Sequence, residues 1–365
     1  MENNYLIVIS SLGGGGAERV ASELSNYISD TTNDKVSILI LERNLISYKI
    51  NSDIDIIVSP LSKFSKGVFK LLLLPLHSYY LSRVVKKRNI TKVISFLHRP
   101  NIVNSMSSLF QNRDFIFSER SLISCSYKGF GFKLMRLLLK LAYMKTNKCI
   151  AISEAVKQEI LSIGVNEDRV VVINNPVFIA GEYQVKKFTR DRFKFCTAGR
   201  LVKSKNIDLL IKAFTEFLKF KPDSILNIYG IGPELDNLLK LTEKLGVSDK
   251  VNFNGFSERL DVDLSNNDCF IFASQYESFG NVIIEAASVG LPIIVPGDLQ
   301  SLDDIFSDRN HCLNYSERKP EIICALMIQL MCKVEYEKYS ENSIKTSKKF
   351  NKKIILNRYI SELGD

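Results

Sequence analysis

Short, uniformly apolar runs alternate along the chain with longer stretches whose apolar residues recur every three or four positions. The first run, Tyr5 to Ile9, leads into a glycine loop at Gly13 to Gly16 and then a segment with Val20, Leu24 and Tyr27 on one helical face. KVSILIL, IDIIVS, KVISFL, DFIFSE and KCIAIS follow. None of them alternates apolar with polar, so each reads as a parallel strand covered on both faces. Helical segments fall between most of them, which predicts a doubly wound sheet.

Around VVVINNPVFIAGEYQVKKFTRDRFKF the pattern breaks into an Asn-Pro turn and a polar, irregular stretch that reads as a linker. A second series then begins. KFCTAGR is a strand, and NIDLLIKAFTEFLKF is a helix with Ile207, Leu210, Ile211, Phe214 and Leu218 in one stripe. SILNIYG, KVNFNGF, CFIFAS and PIIVP supply further strands. The expected fold class is α/β, with two Rossmann-like doubly wound domains facing across a cleft. The first spans residues 1–177 and the second 191–343; a basic amphipathic helix over 344–365 closes back toward the first. In such sheets ligands collect outside the carboxyl ends of the strands.

The chain's 365 residues suit two cores rather than one. A 45% hydrophobic and 24% charged composition, with mean hydropathy near zero, is that of a globular chain and not a disordered one. VFKLLLLPLHSYYL, the most apolar stretch, is interrupted by Lys70, Pro75 and His77 and falls short of the roughly 18 residues of a spanning helix. MENNYLIVIS lacks the basic start of a secretory leader, so a cytoplasmic location is expected. Seven cysteines without a CxxC pair, and His77, His98 and His311 without an HxxxH pair, predict reduced thiols and no structural metal.

The net charge of +9 is unevenly placed. Residues 60–150 hold 17 Lys and Arg against Asp114 and Glu119, a surplus of +15, leaving the rest of the chain at −6. Within that region FGFKLMRLLLKLAYMKTNK gathers Lys133, Arg136 and Lys140 on one stripe opposite a wide apolar arc, and LSRVVKKR adds four cations. An anionic membrane surface is the expected partner. Nucleic acid is not expected, because no recognised binding module accompanies the charge.

Three stretches carry candidate chemistry. The glycine loop between a strand and a helix offers backbone N–H groups to an anion. A dinucleotide fingerprint would need glycine at position 18, where Glu18 stands; Glu42 after the second strand keeps a nicotinamide dehydrogenase open as an alternative. GRLVKSKN sets Arg200 directly after a strand and Lys205 just before a helix, two fixed cations able to neutralise a diphosphate without a divalent metal. In YESFGNVIIEAASVGLPII, Glu277 and Glu285 stand with seven residues between them around a helix start at Gly280 and Asn281. Flanks this apolar argue against a solvated face, so both carboxylates are expected to look into the cleft as acceptors for vicinal hydroxyls. The N–H groups of Phe279 and Gly280 face phosphate. DID at Asp53 to Asp55 and DVD at Asp261 to Asp263 read as solvated turns rather than metal motifs.

GGGGAERV, AGRLVKSKN, YGIGPE, VNFNGF and ESFGNVIIEAASVGLPII stand in the order and spacing of glycosyltransferase family 4, which this chain resembles over nearly its whole length. The resemblance implies a retaining enzyme of the GT-B fold, independent of metal and without a cofactor. It implies transfer of a hexose or N-acetylhexosamine from a nucleotide-sugar donor, with UDP-sugars favoured, to a lipid-linked saccharide acceptor of bacterial surface polysaccharide synthesis. The enzyme would work at the inner face of the cell membrane. Carried over, Arg200 and Lys205 grip the diphosphate, Glu277 with Phe279, Gly280 and Asn281 holds the donor, and Glu285 binds ribose. Phe256 lies where the base is read, and Gly15 and Gly16 face phosphate and acceptor. His98 in SFLHRPN matches a residue near the reacting carbon; Glu119 and Arg120 in FSERS match an acceptor-side element. A binding protein for nucleotide sugars, without turnover, is the other alternative.

Overall fold

In the computed structural model of the chain, residues 3–64, 69–110, 114–127, 129–178, 181, 183–189 and 192–364 are described. The chain divides into two compact units, Met1–Pro176 with Lys353–Asp365, and Val177–Lys352.

The first unit is built on β1 (Asn4–Ile9), β2 (Lys35–Ile40), β3 (Asp55–Val58), β4 (Lys92–Phe96), β5 (Asp114–Glu119), β6 (Lys148–Ala151) and β7 (Val170–Val172). Its helices are α1 (Gly16–Thr31), α2 (Phe69–Leu72), α3 (Leu74–Arg88), α4 (His98–Ser107), α5 (Ile123–Ser126), α6 (Gly129–Tyr143) and α7 (Glu154–Ser162). The strands form one parallel sheet in the order β3-β2-β1-β4-β5-β6-β7, with Tyr5 opposite Val36 on one side and Lys92 on the other. The order reverses between β1 and β4, and the two loops that leave the sheet there carry the glycines and His98. Residues 5–9 of β1 are all buried, as a central strand covered by helices on both faces requires.

The second unit holds β8 (Lys194–Ala198), β9 (Ile225–Tyr229), β10 (Val251–Gly255), β11 (Cys269–Ile271), β12 (Ile293–Pro296) and β13 (Leu313–Tyr315). Its helices are α8 (Ile207–Leu218), α9 (Leu235–Leu245), α10 (Leu260–Ser265), α11 (Asn281–Ser288), α12 (Leu302–Ile305), α13 (Pro320–Gln329) and α14 (Lys333–Ser347). The sheet order is β10-β9-β8-β11-β12-β13, again all parallel, with its reversal between β8 and β11. The predicted α8 stripe is buried except for Leu218, which is half-buried; Phe217 takes the inward place and packs edge-on against Phe195 with centroids 4.9 Å apart.

Three features differ from the sequence expectation. The second unit begins at Val177 rather than 191, because the linker is packed down: Lys186 Nζ donates to the Asn267 carbonyl at 2.7 Å and its N–H to Ser340 Oγ at 2.7 Å. The single closing helix over 344–365 is two helices, α14 and α15 (Lys352–Gly364), since residues 348–351 turn to bury Phe350 against Phe279 and to let its carbonyl accept the Val177 N–H at 2.7 Å. α15 packs within the first unit, where Lys148 pairs with Glu362 at 2.8 Å and Arg358 donates to the Val172 carbonyl at 2.9 Å. Finally, β7 and β13 are three-residue strands too short to show a pattern, and the exposed Asn314 splits the second.

Candidate active site

In the second unit the loops after β8 and β11 leave from the reversal of strand order, the place where open parallel sheets bind ligands. Lys205 ends a 3-10 turn, Lys203–Lys205, and its Nζ is ion-paired with Glu277 Oε2. Both side chains are about one-quarter exposed, at 23% and 27%. The ammonium also lies 5.4 Å from the centre of the buried Phe272 ring. Neither position is left to chance. Asn206 takes a left-handed conformation, φ 50°, which aims its Nδ2 at the Ala273 carbonyl (3.1 Å), while the Gln275 N–H donates to Ser204 O at 2.9 Å and its Nε2 to Asn206 Oδ1 at 3.1 Å. The two loops are thus sewn together on either side of the ion pair.

Arg200 stands exposed on the same β8 loop. That loop approaches the one after β9 so closely that a Cβ on Gly230, at φ 138°, would collide with the Gly199 carbonyl oxygen. Gly280, at φ 93°, makes the sharp entry into α11; Phe279 before it is buried, its carbonyl accepting from Ser301 Oγ at 2.6 Å. Asn281 and Glu285 follow on α11, each half-buried. Phe256, just past β10, is 70% exposed. The structure therefore brings Lys205 and Glu277 into contact, with Arg200 and the α11 start on the same two loops.

The reversal point of the first unit is treated differently. Gly15 caps α1 without a side-chain hydrogen bond and its carbonyl accepts from Tyr48 Oη at 3.0 Å; Gly16 opens the helix. The Glu18 carboxyl folds back toward Gly15, and burial raises its pKa above the usual carboxylate range. After β4, Leu97 sits at φ 74° and ψ 162°, a region that only glycine adopts without strain, and His98 follows as the first residue of α4. His98 is buried, with Nε2 3.3 Å from Glu119 Oε1 but off the hydrogen-bonding direction. Fully buried Glu119 accepts from the Arg120 N–H at 3.0 Å, from Asn101 Nδ2 at 3.3 Å and from Tyr143 Oη. Burial, reinforced by this carboxylate, pushes the Tyr143 phenol well above its ordinary pKa. Arg120 is buried too: its guanidinium donates to Tyr359 Oη of α15 and to Asn175, and stacks over Phe96. Glu119 and Arg120, expected on the acceptor side, are both buried and hydrogen-bonded inside the unit, and they do not pair through their side chains.

Sequence reasoning passed over a second cluster at the carboxyl ends of β2, β3 and β4. Glu42 pairs with Lys70 at 2.9 Å and with Arg99, and Arg99 donates to His77 Nε2 at 3.2 Å. That bond fixes the His77 proton on Nδ1, which donates to Ser59 Oγ at 3.0 Å. Burial first, and Arg99 second, lower the His77 pKa to about 4. The only sequence signal was polar residues just past three successive strand ends, Glu42, Ser59 and Arg99.

Residues 182–349 match the glycosyl transferases group 1 family and residues 14–180 match glycosyltransferase family 4. The chain thus carries a glycosyltransferase family 4 domain followed by a glycosyl transferases group 1 domain. The N-acetylgalactosamine-N,N'-diacetylbacillosaminyl-diphospho-undecaprenol 4-alpha-N-acetylgalactosaminyltransferase of Campylobacter jejuni is 28% identical over 311 residues, 83% of each chain. A lipopolysaccharide core biosynthesis glycosyltransferase of Rhizobium meliloti, LpsE, is 29% identical over 180 residues, 46% of this chain and 50% of that one. Anabaena HepE in complex with UDP superposes with a TM-score of 0.79 at 16% identity, covering both chains completely, and the fold is that of the GT-B glycosyltransferases. In this glycosyltransferase DID is the solvated turn expected of it, with Asp53 exposed in the turn before β3, whereas DVD is not. Asp261 and Asp263 lie in the first turn of α10, one paired with Arg259 at 3.2 Å and the other accepting from Ser257 Oγ, and Asp55 begins β3 and pairs with Arg88 at 2.5 Å. Among the described residues no three His, Cys, Asp or Glu side chains cluster as metal ligands would.

Proposed function

We propose that this glycosyltransferase moves a hexose or N-acetylhexosamine from a UDP-sugar to a lipid-linked saccharide, with retention of anomeric configuration and without a required metal. The observation that carries the reading is the Lys205–Glu277 pair, held between two sewn loops at the strand reversal of the second unit. A cation there is about one-quarter exposed and already desolvated on one side by Phe272, so it gains by exchanging Glu277 for the more highly charged diphosphate. Arg200 supplies a second positive charge on the same loop. As the bond from the sugar carbon to phosphate oxygen breaks, these cations stabilise the departing diphosphate. The acceptor hydroxyl forms its new bond on the same face, and its proton passes to the phosphate oxygen that leaves. Glu277, released from Lys205, accepts from donor sugar hydroxyls, and Glu285 one helical turn into α11 accepts from ribose.

The choice of UDP is supported by the UDP bound in Anabaena HepE, and a lipid-linked acceptor by the name of the Campylobacter jejuni relative, whose substrate is a diphospho-undecaprenol saccharide. No helix of the described residues is long and apolar enough to cross a membrane; the protein would meet such an acceptor by peripheral attachment at the inner membrane surface. Incubation of the purified protein with UDP- and GDP-hexoses, UDP-N-acetylhexosamines and an extracted pool of polyprenyl-diphosphate saccharides tests this directly. The expected product is one sugar heavier by mass and α-linked by NMR when the donor is α-linked. Failure of every nucleotide sugar to transfer, or an inverted linkage, contradicts it.

A further inference from the structure

An apolar stripe that sequence reading used only to exclude a spanning helix lies open on the first unit. Phe69 and Leu72 of α2 and Leu76 and Tyr79 of α3 recur at three- and four-residue spacing, and each is more than half exposed. They are not misplaced core residues, because α3 already buries the opposite face through Leu74, Leu81, Val84 and Val85. Phe110, in the 3-10 turn Ser108–Phe110, meets Tyr79 edge-on with centroids 6.1 Å apart and is itself exposed. Single exposed apolar residues are ordinary; five in one connected surface mark an interaction site.

Charge says what the surface meets. Along α3 beyond Tyr79, the exposed Arg83, Lys86 and Lys87 line an open groove of about 820 Å³ together with Ile57 and Tyr80. From Pro60 to Arg113 the sequence holds ten Lys and Arg and not one Asp or Glu. An apolar strip continuing into a dense cationic end matches the boundary of an anionic bilayer, with acyl chains below and phosphates alongside. It does not match a symmetric contact with a second copy, because the same patch on both chains would bring cations and no acids to the interface. The α6 stripe serves less well. Arg136 donates to the Ser162 carbonyl at 3.0 Å and Lys140 lies against Gly164, so both complement the C-terminal end of α7.

We infer that the α2–α3 face with the Ser108–Phe110 turn is the surface by which the protein sits on an anionic membrane: Phe69, Leu72, Leu76, Tyr79 and Phe110 enter the headgroup–acyl boundary and Arg83, Lys86 and Lys87 meet lipid phosphates. The inference rests on the peripheral attachment proposed above and moves the anchor from α6 to this face. It is tested by flotation with vesicles of phosphatidylglycerol and phosphatidylethanolamine, and with phosphatidylcholine alone, a readout independent of sugar transfer. The parent protein floats with the anionic vesicles. Leu72→Ser/Leu76→Ser/Tyr79→Ser, and separately Arg83→Glu/Lys86→Glu/Lys87→Glu, each weaken partition at least about tenfold, with melting temperature and UDP binding unchanged. Anionic-vesicle binding equal to the parent's in both variants overturns the inference, as does loss only when Lys133, Arg136 and Lys140 are reversed. A dimer in sedimentation velocity that the serine substitutions dissociate also overturns it, by assigning the face to a second copy.

Discussion

The two units share a topology and handle charge at its reversal point in opposite ways. In the second unit, Lys205 and Glu277 pair while remaining about one-quarter exposed, so water can replace either partner and a ligand can enter between them. The first unit buries Glu119 completely and satisfies it with the Arg120 N–H, Asn101 and Tyr143, next to a His98 held after the strained Leu97. A partly solvated pair contributes little to folding and is available for chemistry. A buried, saturated carboxylate contributes to folding and is costly to disturb. What the comparison teaches is that the same strand ends can hold either exchangeable charges or fixed ones, according to burial.

The largest effect expected from breaking this contrast is on rate. Lys205→Ala should reduce sugar transfer by about 10²- to 10³-fold, the scale of losing one charge-stabilising donor, with the melting temperature near the parent's. Gly230→Ala should lower both stability and transfer, because the new methyl group meets the Gly199 carbonyl and displaces the loop that carries Arg200; thermal unfolding and transfer assayed together check this. Glu119→Ala, which orphans the Tyr143 hydroxyl and Asn101 amide inside the first unit, should cost about 3 kcal/mol in urea unfolding. His77 sharpens the same point through pH. Its folded pKa of about 4 lies below the ordinary histidine value of 6.5, so the unfolded chain binds more protons between those values, and stability present above pH 6.5 is lost as pH falls toward 4. That loss is on the order of 3 kcal/mol, and His77→Gln should flatten the acid limb of the stability profile. The smallest effect is the counterpart of the third: Glu277→Ala should change folding stability by less than about 1 kcal/mol.

The strands that carry the sites were legible because central parallel strands are uniformly apolar, and β7 and β13 were not because three residues establish no period. Arg200, Lys205, Glu277 and Glu285 could be read from their places at strand ends and a helix start. The straps that set Lys205 against Glu277 could not, since Asn206 and Gln275 are common polar residues and their bond forms across 69 positions. The partners of Glu119 and Arg120 were illegible for a related reason: Tyr143 on α6 and Tyr359 on α15 lie 24 and 239 residues away, and only the folded sheet brings them in. The amphipathic pattern of α6 was visible, but the carbonyl end of α7 that engages Arg136 was not.

The central claim is that Lys205 and Glu277 form the exchangeable half of a donor site. UDP-induced thermal stabilisation of the parent beside Lys205→Ala measures it most directly. UDP should raise the parent's melting temperature in proportion to the logarithm of its concentration and leave the variant essentially unmoved. An equal shift in both proteins would place the diphosphate somewhere else and contradict the account.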